Sequence, residues 1–140
     1  MNKGYYITGE GKRIGLEAEE TLYFCNMGIT ELVIPDGVKE IWCWRNKITK
    51  LIIPEGIEIV QCWNNFLTEL ILPESVMGVF CQSNQLKELI LPDGINRVSC
   101  GGNPLTELII PEGITHVNCD LKLIDLDEYK YTNIKITAYV

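Results

Sequence analysis

The chain has 140 residues, 46% hydrophobic and 22% charged, with a net charge of −7 and a pI near 4.7. That length suits one domain, and the acidic balance excludes nucleic acid and anionic membranes as natural partners, because such affinity rests on Lys and Arg neutralising phosphates. The opening MNKGYYITGEGKRIG lacks an apolar signal-peptide run and no stretch reaches membrane-spanning length, so the expected location is the cytoplasm.

Residues 1–20 form an N-terminal cap in this reading. The segments 5–8 and 12–16 flank Gly9 and Gly11, the pattern of a short hairpin. Beyond them the chain becomes periodic. Proline recurs every 19 residues (Pro35, Pro54, Pro73, Pro92, Pro111), and Cys43, Cys62, Cys81, Cys100 and Cys119 keep the same step. Asn46, Asn65, Asn84 and Asn103 follow it too. A fixed period near twenty marks a solenoid, whose coils bury one continuous core by stacking. The first coil reads as one residue short between Cys25 and Ile29.

Within a coil, Val60 and Cys62 alternate with Gln61, and Leu70 and Leu72 alternate around Ile71. Each coil is therefore expected to carry two short strands. The eight-residue return holds β-branched residues ahead of proline and is too short for a real helix. A Pro-Glu-Gly or Pro-Asp-Gly turn closes most coils. Ile57, Val60, Cys62, Asn65, Leu67, Leu70 and Leu72 are the inward set. The cysteines read as reduced core residues rather than a disulfide framework or a metal site.

Ile57, Val60, Cys62, Asn65 and Leu67 have the spacing L-x-x-L-x-L-x-x-N-x-L, which recurs from Val38, Val76 and Ile95 and, with Lys122 and Ile124 as its last two members, from Ile114. In this the chain resembles the leucine-rich-repeat proteins over about residues 20–126. The short return resembles that of bacterial and bacteriophage members. The resemblance implies a leucine-rich-repeat solenoid over 21–126: a right-handed parallel β coil with two short strands per turn and little or no helix. It also implies an asparagine ladder and a concave strand face that binds partners. Residues 127–140 are read as a C-terminal cap with a closing strand over 133–140.

On the strand face the outward columns read Phe24, Trp42, Gln61, Phe80, Ser99, Asn118; then Asn26, Trp44, Trp63, Gln82, Gly101, Asp120; then Leu22, Glu40, Ile59, Gly78, Arg97, His116. All three tryptophans fall on this face. A contiguous aromatic patch on a rigid strand surface is the kind of surface that proteins use for binding. The expected partner-binding residues are Phe24, Trp42, Trp44, Ile59, Gln61, Trp63, Phe80, Gln82, Arg97 and His116. Cross-strand stacking for stability alone is the plainer reading of the same aromatics.

His116 and Asp120 point away from Cys119 in this scheme, so nucleophile and base are separated by the sheet and no enzyme is expected. No cofactor and no metal follow from any motif. The expected function is a non-catalytic protein-binding module, in analogy a bacterial or phage adaptor or inhibitor of a host protein. Carbohydrate binding by the tryptophans is the alternative. Self-association through the aromatic face or through Val33, Ile52, Ile71, Ile90 and Ile109 on the return side is a third reading, giving a homodimer. Nine acids, among them Glu69, Glu88 and Glu107, line that return side and are read as solvated.

Overall fold

The computed structural model describes residues 3–130 and 132–139. Met1 and Asn2 of the expected N-terminal cap, and Tyr131 and Val140 of the expected C-terminal cap, lie outside the described residues.

The chain is a parallel β-solenoid of about six coils with almost no helix. One strand per coil builds its main sheet: β3 (Thr21–Tyr23), β5 (Glu40–Trp42), β7 (Ile59–Gln61), β8 (Gly78–Phe80), β9 (Arg97–Ser99) and β10 (His116–Cys119). A last strand, β11 (Lys135–Ala138), joins β10 in parallel, so the sheet has seven strands in the order β11-β10-β9-β8-β7-β5-β3. The register advances by 19 residues at each step, as in Ile41↔Val60 and Val79↔Val98. The sequence period and the stacking period are therefore the same quantity.

Stacking in register places like residues over like. Ile41, Val60, Val79, Val98 and Val117 form one buried column, and Cys43, Cys62, Cys81, Cys100 and Cys119 form another in which every side chain is fully enclosed. All six cysteines are free thiols. Asn46, Asn65, Asn84 and Asn103 are the only buried polar side chains among the described residues. Asn65 shows how such a group is tolerated. Its Nδ2 donates to the carbonyls of Cys43 and Cys62 (3.0 Å each), and its Oδ1 accepts from Ile48 N–H (3.0 Å). Each amide thereby ties two coils together at the bend after the strand, where a buried backbone group would otherwise lack a partner.

The return side differs from expectation. Among the described residues only the first two coils have return strands, β4 (Glu31–Val33) and β6 (Lys50–Ile52), which pair in parallel. Beyond β6 the return segments run without a ladder, and clefts of about 330, 430 and 540 Å³ open between them in succession. The main sheet keeps its ladder from β3 to β11, so the coils are tied together chiefly at the strand face.

An antiparallel hairpin of β1 (Tyr5–Ile7) and β2 (Arg13–Gly15) extends the return sheet, because β1 also pairs with β4. Tyr5 Oη donates to Glu31 Oε1 (2.5 Å), and Lys50 Nζ lies 3.2 Å from the same carboxylate oxygen. Val33, expected outward, is buried here, as is Gly4 of the hairpin. A Cβ at Gly4 would collide with Pro35 and the Val33 carbonyl. At the other end a 3₁₀ turn (Leu121–Leu123) and one α-helical turn, α1 (Leu126–Tyr129), lead to β11. Among the described residues no helix is long and apolar enough to cross a membrane.

Candidate functional site

Strand alternation sends every second side chain of the main sheet away from the core. From β5 onward the outward columns are those expected, and Trp42, Trp44, Ile59, Gln61, Trp63, Phe80, Gln82, Arg97 and His116 share one face. The first coil is the exception. Tyr23, not Phe24, is in register with Trp42, and Leu22 is in register with Ile41 and buried. Phe24 N–H bonds Trp42 O as Cys43 N–H bonds Gln61 O, so Phe24 occupies the cysteine column. It packs against the core and against Tyr6 (centroids 5.2 Å apart) and does not belong to the outward face. The first coil is consequently of full length, with Met27 in the asparagine position, and Cys25 is displaced to the outward column.

Trp44 and Trp63 stack face to face, with centroids 4.9 Å apart and planes 10° from parallel. The Arg45 guanidinium lies 5.8 and 5.5 Å from their centroids. Trp42 packs at a tilt on Tyr23 (5.5 Å) and donates its Nε1–H to Glu40 Oε2 (3.2 Å). Gly78 leaves a gap that neighbouring side chains close: a Cβ there would meet Ile59 Cδ1 at 3.1 Å and Phe80 Cε2 at 3.5 Å. The tryptophans are half-buried and Tyr23 is 65% exposed. The result is one apolar surface crossing four coils.

A column that sequence reasoning missed supports this surface. Asn26, Arg45, Asn64, Ser83 and Gly102 all have φ between 53° and 69°. Left-handed backbone favours Gly and Asn, which three of the five positions carry. The signal was present at 26, 64 and 102, but Arg45 and Ser83 hid it. This turn follows each strand and brings Arg45 alongside the tryptophan pair.

The C-terminal half of the face is partly covered. Tyr139 lies back over Gly101 and Gly102, and its hydroxyl is hydrogen-bonded to Ser83 Oγ. A Cβ at Gly101 would collide with the Cβ and Cγ of Tyr139. What remains open is a groove of about 490 Å³ whose lining includes Arg97, Ser99, His116, Asn118, Lys135 and Thr137. Cys119 is fully buried on the other side of the sheet from His116 and Asn118. Burial also drives the thiol pKa upward along the whole cysteine column, to about 12 at Cys100, which keeps the column protonated.

No protein-family model, curated protein or solved structure matches the chain. Its functional reading therefore rests on its own geometry.

Proposed function

We propose that the protein is a short-repeat member of the leucine-rich-repeat class and a non-catalytic module that binds a partner protein through its strand face. In a bacterial or phage setting it would act in the cytoplasm as an adaptor or inhibitor. The repeat spacing and the asparagine bonding in four successive coils support the class. The observation that carries the function is the tryptophan cluster. Trp42, Trp44 and Trp63 form a contiguous, half-exposed patch on a backbone held at both sides by sheet pairing. Large aromatics presented by a pre-organised surface bury much area with little ordering cost.

The arrangement of the rings favours protein over carbohydrate. Sugar binding by tryptophan uses a broad free ring face, whereas Trp44 and Trp63 each spend one face on the other. Their remaining surface, with Gln61 and Phe80, is what a partner would meet. A photo-crosslinking residue at Gln61, in the middle of the patch, is expected to trap a discrete protein from native lysate, and the same group at the exposed Ile90 is not. Equal products from both positions would count against the strand face.

A further inference from the structure

The groove at the C-terminal half of the strand face carries chemistry that the aromatic patch does not need. Arg97, His116 and Lys135 are in strict register on β9, β10 and β11. Three cation-capable side chains thus stand in one column, about 4.8 Å apart at their backbones. This happens in a chain with only 12 Lys and Arg against 19 Asp and Glu. The ion pairs Lys50–Glu31 and Lys130–Asp127 do not involve the column. Arg97 and Lys135 carry like charges two strands apart with His116 between them, and an anion seated over His116 is attracted by both.

The neighbouring outward column supplies the rest of a polar site. Ser99, Asn118 and Thr137 line the groove beside the cations, with Phe80 at its end. Asn118 Nδ2 is held by Thr137 Oγ1 (2.8 Å) and Ala138 O (3.2 Å), which fixes the amide. His116 Nδ1 is paired with Thr115 Oγ1 (2.9 Å), which orients the ring. A volume of about 490 Å³ falls within the usual range of small-ligand sites.

We propose that this groove binds a phosphomonoester. The phosphoryl group meets Arg97, His116 and Lys135, and the flat apolar remainder of the ligand rests against Phe80. A phosphoryl dianion offers three oxygens to three donor side chains, where a single carboxylate offers two, and the planar fork of Arg97 can take it in bidentate fashion. The acids of the return side repel a long polyanion, so the site selects a compact anion rather than nucleic acid. The proposal does not depend on protein binding by the tryptophans, although Phe80 borders both surfaces.

The single histidine makes the test direct. The full chain is titrated at constant pH with inorganic phosphate, with phenyl phosphate, and with sodium chloride at matched ionic strength, and the His116 ring signals are followed by NMR. Both phosphates are expected to give saturable shifts, with phenyl phosphate the tighter. An Arg97→Gln/Lys135→Gln variant, altered at two exposed positions, should weaken both by at least about tenfold with unchanged circular dichroism. Phe80→Ala should remove only the advantage of phenyl phosphate. A short phosphotyrosine peptide separates the sources: tighter binding than phenyl phosphate assigns the group to a phosphorylated protein segment, and weaker or equal binding to a free small molecule. Shifts identical to those in chloride, or saturation unchanged in the double variant, would overturn the proposal.

Discussion

Asn65 makes three hydrogen bonds to backbone groups of two coils, and no other side chain of its size donates twice and accepts once in that geometry. Asn65→Ala leaves the Ile48 amide without a partner in the core and takes one of two amide donors from each of the Cys43 and Cys62 carbonyls, which keep those of Asn46 and Asn84. It is expected to cost about 1–3 kcal/mol, read as a lower denaturant midpoint; an unchanged midpoint would remove the ladder from the account. The cysteines give the complementary case of residues chosen for volume. Thiol reactivity requires the thiolate, and burial suppresses it. A maleimide should label only Cys25 in the native protein and all six cysteines in denaturant. Native modification of Cys43, Cys62, Cys81 or Cys100 would show that the coils open.

At the scale of the element, each strand is only three or four residues long, and its stability comes from its neighbours. The inward residues were readable because the 19-residue step repeats them without error from Val38 to Ile114. The first coil was not, because Cys25 invites alignment with Cys43 although Phe24 stands at the correct distance. One residue of shift inverts every side chain of a strand, which is why Phe24 and Tyr23 exchange faces. The return strands were misjudged for a different reason. Alternation of Leu70, Ile71 and Leu72 reports which side is buried, and it carries no information on whether the neighbouring coil lies within hydrogen-bonding distance. Tyr139 was equally hidden, since nothing in a tail that alternates like a strand says which glycines it will cover. Gly101→Ala tests that contact. It should cost about 1–3 kcal/mol through overpacking, and the loss should largely vanish in a Tyr139→Ala background. Equal losses in both backgrounds would mean that Tyr139 does not sit on Gly101.

For the whole molecule, one repeated frame separates scaffold from surface. The core columns, the asparagines and the prolines recur and hold the coils. The outward columns do not recur: they pass from Tyr23, Trp42, Trp44 and Trp63 to Arg97, His116 and Lys135 along a single face. The ladder keeps the strand face closed, while clefts open between the return segments, where Ile71, Ile90 and Ile109 are 72–78% exposed. A surface that changes character along one rigid strand face suits recognition of one oriented partner.

The most direct measurement is affinity capture from native lysate by the wild type and by a Trp42→Ala/Trp44→Ala/Trp63→Ala variant whose circular dichroism and oligomeric state match it. The account predicts a discrete protein held by the wild type and lost by the variant. Identical captures by the two proteins would contradict it.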